Sequence, residues 1–220
     1  MKIAIIEDHS LIADLLATLC RREFKFDVVL IEAYGRRALP AIRTLKPDLV
    51  LLDISLPDID GLELAESILR ELPATKVLAL SSLRDPVTLK RVRDLGIHGF
   101  VDKRDQNVHQ LKEAIELISR GHEFFSPVVN EVIGPLRRDP KAYYRMLSEY
   151  EQQILGLIGE SRSDEEIATA LGIQPSTAQS RRRDIMNKLE VHSTPKLIRY
   201  AIEYGFTRIE HIQPPRATGA

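Results

Sequence analysis

Short apolar runs of strand length recur at residues 2–6, 27–31, 48–52, 76–80 and 99–101, and the segments between them carry apolar residues at helical spacing. One such segment puts Leu11, Ile12, Leu15, Leu16 and Leu19 on one side of a helix, and another does the same with Leu62, Leu64, Ala65, Ile68 and Leu69. Strands alternating with helices make a parallel sheet covered on both faces, because each parallel connection has to cross back over the sheet. Residues 1–120 are therefore read as an α/β domain, a doubly wound five-stranded parallel sheet. Ligands of such sheets bind beyond the carboxyl ends of the strands.

After Ile118 the pattern changes. Gly121, Pro127, Gly134, Pro135 and Pro140 punctuate a stretch of mixed charge, which reads as a linker with partial helix over 121–145. Only short helices follow, at 149–158, 163–171, 176–189 and 194–204, so 146–208 reads as a small all-α domain. The stretch 209–220, with Pro214, Pro215 and Gly219, is expected to be a disordered tail.

No apolar run approaches the roughly 18 residues of a membrane span, and Glu7 and Asp8 interrupt the first one too early for a secretory signal. A single cysteine, Cys20, excludes an internal disulfide and fits a reducing compartment, and its spacing from Leu16 predicts burial. A cytoplasmic protein without membrane contact is expected. With 31 Lys+Arg against 32 Asp+Glu, bulk charge does not announce nucleic acid. Binding to DNA would need a local patch, and Arg181, Arg182 and Arg183 form the clear one in the second half.

Glu7 and Asp8 fall at the end of the first strand and Asp53 at the end of the third, so a doubly wound sheet brings three carboxylates to one edge. Oxygen-only ligation of this kind suits Mg²⁺. Ser81 and Lys103 close the fourth and fifth strands with a hydroxyl and a positive charge. Nucleophilic carboxylate, metal, hydroxyl and lysine are the parts that phosphoryl transfer to aspartate requires. Asp53-Ile54-Ser55-Leu56-Pro57-Asp58-Ile59-Asp60-Gly61, followed by Leu78-Ala79-Leu80-Ser81 and Gly99-Phe100-Val101-Asp102-Lys103, resembles the receiver domain of two-component response regulators, a flavodoxin-like fold. The resemblance implies that Asp53 is the phosphoacceptor and that Glu7, Asp8, Asp53 and the backbone carbonyl of Ser55 hold Mg²⁺. It further implies that Lys103 and Ser81 stabilise the phosphoryl group and that Phe100 is the switch aromatic. The signalling face would be residues 85–95, 98–101 and 108–120. Glu7 stands where Asp is commoner and Leu56 where Met is frequent; neither change removes a reacting group.

In the second half, Ile167-Ala168-Thr169-Ala170-Leu171-Gly172-Ile173 ends one helix on a glycine turn, and Pro175-Ser176-Thr177 starts the next. Ala178, Ile185 and Leu189 mark the apolar side of that second helix, so Gln179, Ser180, Arg182 and Arg183 are expected to face solvent, as a major-groove helix requires. Residues 147–204 resemble the DNA-binding domain of NarL/FixJ (LuxR-type) response regulators through Leu147-Ser148, Glu151, Ile154-Leu155, Glu166-Ile167-Ala168, Leu171, Ile173, Ser176-Thr177, Ile185, Lys188-Leu189 and Val191. The resemblance implies base contacts from Gln179, Ser180 and Arg183, phosphate or flanking contacts from Thr177 and Lys188, and dimer contacts from the last helix. Arg182 is a further DNA-contact candidate. A cognate histidine kinase, double-stranded DNA bound as a homodimer, and RNA polymerase are the implied partners. Asp164-Glu165 stands where Asn-Lys is usual, Gln179 replaces a common Lys, Ala178 a Val and Arg181 a His, which removes positive charge from the expected interface.

The leading reading is thus a phosphorylation-dependent DNA-binding transcription regulator. Glu165 motivates the competing one, a receiver-controlled protein-interaction module that no longer binds DNA. An aspartate-nucleophile phosphohydrolase would need a second carboxylate two residues after Asp53, where Ser55 stands. No enzymatic activity beyond self-catalysed phosphorylation and dephosphorylation of the aspartate is expected.

Overall fold

The computed structural model describes residues 1–105 and 107–208, which fall into two compact units, the first of residues 1–84 and 88–132 and the second of residues 85–87 and those from 133 on. The tail expected at 209–220 lies outside the described residues.

The first unit is built on a parallel sheet of β1 (Lys2–Ile6), β2 (Asp27–Glu32), β3 (Leu49–Asp53), β4 (Lys76–Ser81), β5 (Gly99–Asp102) and β6 (Phe124–Phe125), in the order β2-β1-β3-β4-β5-β6. The connecting helices are α1 (Ser10–Arg22), α2 (Gly35–Leu45), α3 (Gly61–Glu71), α4 (Pro86–Asp94) and α5 (Val108–Ser119). Side chains alternate between the faces of a strand. Ile3, Ile5, Leu49, Leu51, Leu78 and Leu80 accordingly share one core with Leu16 and Cys20 of α1 and Ile115 and Ile118 of α5. The intervening Ala4, Ile6, Val50, Leu52, Val77 and Ala79 are equally buried on the other face. Burial on both faces is why these strands read as unbroken apolar runs. Burial also pushes the Cys20 thiol up to about 11, which leaves it an inert core residue.

The strand order reverses between β1 and β3, so the crevice of the sheet opens at their carboxyl ends. In register, Asp53 lies beside Leu80 and Ser81 beside Asp102, which lines the ends of β3, β4 and β5 along that edge.

The sheet gains a strand beyond the five expected. β6 pairs Phe124 with Gly99 and Phe125 with Phe100, and two residues are too few to show a period. The stretch expected as a linker is largely helical, with α6 (Pro127–Arg138) and α7 (Tyr143–Met146). Pro127 begins α6, where a missing N–H costs nothing, and Val128, Val129, Ile133 and Leu136 give it a buried side.

The second unit adds α8 (Glu149–Gly159), α9 (Asp164–Leu171), α10 (Pro175–Lys188) and α11 (Thr194–Tyr204). Two reciprocal capping boxes, Ser148 with Glu151 and Ser163 with Glu166, fix the starts of α8 and α9. Gly172, at φ 65°, ends α9 in the left-handed conformation that turns the chain into α10. α10 begins one residue earlier than expected, with Pro175 first and Gln174 as its cap. The core joins Ile154, Leu155 and Ile158 of α8, Ile167 and Ala168 of α9, Ala178 and Ile185 of α10, and Leu197 and Ala201 of α11.

Candidate functional site

Asp53 is the last residue of β3 and Glu7 follows β1; they are 3% and 2% exposed. Lys103, first residue of the short 3₁₀ turn Lys103–Asp105 after β5, places its Nζ 2.7 Å from Glu7 Oε2 and 2.7 Å from Asp53 Oδ2. The Ser55 N–H donates to Asp53 Oδ1 at 2.9 Å. Asp8 is exposed at the mouth, with its Oδ1 2.9 Å from His9 Nδ1. Glu7, Asp8, His9 and Asp53 each offer a ligand atom, all within 4.8 Å of one another. Burial pushes the Glu7 carboxyl above its ordinary range; the hydrogen bond from Lys103 opposes this and the charge of Asp53 adds to it.

The donor set fits a hard divalent cation. Three carboxylates converge while one ammonium answers only two of them, so negative charge remains for a cation to neutralise. His9 was not foreseen; its only sequence signal is that it follows Glu7 and Asp8 directly and precedes α1.

Ser81 closes β4, fully buried, with its Oγ accepting the Leu83 N–H at 3.0 Å. Phe100 lies in β5 as a fully buried core ring. The loop after Asp53 is fastened at two points. Asp58 accepts the N–H groups of Gly35 and Arg36 at 2.8 and 2.9 Å, and Asp60 caps α3 through Leu62 N–H at 2.8 Å while pairing with Arg91 at 2.7 Å. Arg84 also escaped the sequence reading; it pairs with Asp102, beside Lys103, and with Asp105.

In the second unit Thr177, Gln179, Ser180 and Arg183 are exposed on α10. Two other expected DNA contacts are engaged elsewhere. Arg182 was expected to face solvent, but its side chain is only 14% exposed: Nε lies 2.8 Å from Asp164 Oδ1 and an Nη donates to the Arg162 carbonyl at 3.1 Å. Lys188 Nζ binds both carboxylate oxygens of Glu151, at 2.8 and 2.7 Å. The reason is the same in both cases: a carboxylate on a neighbouring helix stands within reach of a long cationic side chain. α11, the expected dimer helix, turns Leu197 and Ala201 into the core and leaves Lys196, Arg199 and Glu203 exposed.

Two families match this chain. The family described as response regulator receiver domain covers residues 3–116, and that described as bacterial regulatory proteins, luxR family, covers residues 145–201. The chain belongs to the LuxR-type response regulators.

This response regulator is similar to the response regulator protein VraR of Staphylococcus aureus, with 31% identity over 207 residues that cover 93% of this chain and 97% of VraR. Among solved structures it is similar to RcsB from Salmonella enterica serovar Typhimurium bound to promoter P1flhDC in the presence of the phosphomimetic BeF3− (26% identity, TM-score 0.64, 91% of this chain and 97% of that one). It is also similar to a structure of two RcsB dimers bound to two parallel DNAs (25% identity, TM-score 0.62, 91% of this chain and 96% of that one). Among the described residues of this response regulator, no helix is long and apolar enough to cross a membrane.

Proposed function

We propose that this response regulator is a cytoplasmic, phosphorylation-dependent DNA-binding transcription regulator whose switch is Asp53. The observation that carries the reading is the Lys103 ammonium held 2.7 Å from both Glu7 and Asp53 at the carboxyl edge of the sheet, in a chain whose second unit is a helix-turn-helix. Asp53 Oδ forms a bond to the phosphorus as the bond from phosphorus to the imidazole nitrogen of a cognate histidine kinase breaks. Lys103 then faces the added phosphoryl charge, and the Ser81 hydroxyl, whose oxygen accepts the Leu83 N–H, donates its proton to a phosphoryl oxygen. Glu7, Asp8, Asp53 and the Ser55 carbonyl would hold Mg²⁺, which supplies charge neutralisation at the phosphoryl oxygens when bound. Phe100 follows the movement of the β4 and β5 ends.

The output is the exposed side of α10. Gln179, Ser180 and Arg183 meet base edges, Thr177 meets the backbone, and a homodimer formed through α11 reads two half-sites. Support comes from RcsB, solved on promoter DNA with the phosphomimetic and similar over 91% of this chain. Residues 1–120 form the receiver, 121–145 the connection and 146–208 the DNA-binding domain; RNA polymerase is the partner through which a bound regulator would act.

A second reading has its own observation. Asp164 and Glu165 open α9 beside the recognition helix, and Arg182 and Lys188 are already paired, which favours a protein partner in place of DNA. One experiment separates the two: selection of bound fragments from sheared genomic DNA at low salt, with and without Mg²⁺ plus beryllofluoride. Enrichment of a dyad-symmetric sequence that grows with the mimic, and no growth in Asp53→Ala, is the expected result. A folded protein that enriches nothing in either state refutes the DNA reading in favour of the protein partner.

A further inference from the structure

The run Arg181-Arg182-Arg183 reads as one basic patch, yet its members have different surroundings. Consecutive helical residues point about 100° apart, so three adjacent arginines cannot share one groove. Arg183 is one turn from Gln179 and exposed, and among the described residues it has no ion pair. Arg182 lies one turn from the buried Ala178 and three residues before the buried Ile185, at the margin of the packed side of α10.

What holds Arg182 there is built on a rigid support. Asp164 is the first residue of α9, immediately after Ser163, whose hydroxyl and N–H complete a capping box with Glu166. The N-terminal N–H groups of α9 favour a carboxylate at that position. Asp164 Oδ1 receives Nε of Arg182 at 2.8 Å, the carbonyl of Arg162 receives an Nη at 3.1 Å, and the paired side chains are 14% and 24% exposed. A guanidinium held on two acceptors in a partly desolvated site is not a mobile charge waiting for a phosphate.

Resting on the DNA-binding reading above, we infer that Asp164 is a positioning residue: it withdraws Arg182 from DNA, fixes α10 against the start of α9, and leaves sequence recognition to Gln179, Ser180 and Arg183. The latch lowers the number of cations available to any duplex. Background affinity falls, and the share of binding that depends on base contacts rises.

The salt dependence of binding tests this. Each phosphate contact adds about 0.9 to the slope of log affinity against log salt, roughly a threefold difference between 50 and 200 mM. The full chain, held in the beryllofluoride form with Mg²⁺, is titrated with a random-sequence duplex pool. Arg182→Ala is expected to leave the slope unchanged, whereas Arg183→Ala flattens it, because on random sequence an exposed arginine without its base partner meets phosphate. Asp164→Asn is expected to steepen it by about 0.9 as the guanidinium becomes free, and the double variant Asp164→Asn with Arg182→Ala should return to the wild-type slope. Helicity by circular dichroism confirms that each variant is folded. If Arg182→Ala alone flattens the slope, Arg182 is an ordinary phosphate contact and the proposal fails. If Asp164→Asn steepens it equally with and without Arg182, the effect is local charge alone and the proposal also fails. Wild-type protein that binds no duplex at any salt overturns the DNA-binding reading and this proposal together, whereas binding with the wrong slopes overturns the latch only.

Discussion

The Ser126 hydroxyl accepts the backbone N–H of Asp102 at 3.1 Å. Ser126 is fully buried, its hydroxyl also donates to Gln110 Oε1 at 3.0 Å, and its own N–H donates to the Phe100 carbonyl at 2.9 Å. The residue just before α6 is thereby fastened to the end of β5, one position from Lys103. Ser126→Ala leaves the buried Asp102 N–H and the partly buried Gln110 amide oxygen without that partner, which costs about 1–3 kcal/mol. Urea unfolding followed by circular dichroism should show the midpoint falling with an unchanged slope; an unchanged midpoint would mean the pair is replaced by other partners.

Lys103 carries a different kind of load. It is the cation that Glu7 and Asp53 share, with side chains 18%, 0% and 4% exposed. Removing one member of a buried ionic set leaves the others uncompensated and costs about 3–5 kcal/mol. Lys103→Met should therefore unfold at lower urea in the presence of a chelator, and millimolar Mg²⁺ should recover more stability for the variant than for the wild type. The same variant should take up little phosphate from acetyl phosphate. Equal Mg²⁺ responses in the two proteins would contradict a cation at these carboxylates.

What could be read from the sequence, and what could not, divides on distance along the chain. The strands were legible because residues such as Ile5, Leu51 and Leu78 are buried within continuous apolar runs, and once the strands are placed Asp53, Glu7 and Lys103 follow at their ends. β6 was hidden because two phenylalanines have no period, and α6 because Pro127 and Pro135 read as breaks although Pro127 merely starts the helix. Helical periodicity told which side of α10 is apolar, but not which carboxylate reaches over its edge. Asp164 is 18 residues from Arg182 and Glu151 is 37 from Lys188, separations at which only the packed structure decides who meets whom.

Glu151 makes that second pair pH-sensitive. Burial pushes its carboxyl up, but the hydrogen bonds from Lys188 and from the Ser148 N–H and hydroxyl outweigh it and hold the group below its ordinary value of 4.5. A carboxyl whose folded value is depressed contributes stability that is present above the unfolded value and is lost as pH falls through the folded one. The second unit should therefore weaken below about pH 4.5. Glu151→Gln should lose about 1–2 kcal/mol at neutral pH, a charge-assisted pair discounted for the half-exposed Lys188, and the gap from wild type should shrink as the acid range is entered. Stability curves that stay parallel from pH 7 down to about pH 3 would exclude Glu151 as the source.

The closest backbone approach near the pocket belongs to Gly61. A Cβ there would stand 2.4 Å from the Asp53 carbonyl, 2.6 Å from Ile54 Cα and 2.8 Å from the Ile54 carbonyl, all main chain and none able to swing aside. The Gly61 N–H also donates to the Ile54 carbonyl at 3.0 Å, so α3 begins in direct contact with the turn that follows Asp53. Gly61→Ala must push that turn or the helix outward, at a cost of about 1–3 kcal/mol. Stability alone does not isolate the consequence for the site, so the comparison is with Ile115→Val, which trims the core under α5 on the opposite layer for about 0.5–1.5 kcal/mol. Beryllofluoride with Mg²⁺ should raise the thermal midpoint of Ile115→Val by as much as it raises that of the wild type, because ligand stabilisation depends on affinity for the folded site. Gly61→Ala should show a much smaller rise, because displacing the Asp53 carbonyl displaces the carboxylate on the same residue. Equal shifts in both variants would mean that the pocket tolerates the movement and that Gly61 serves packing only.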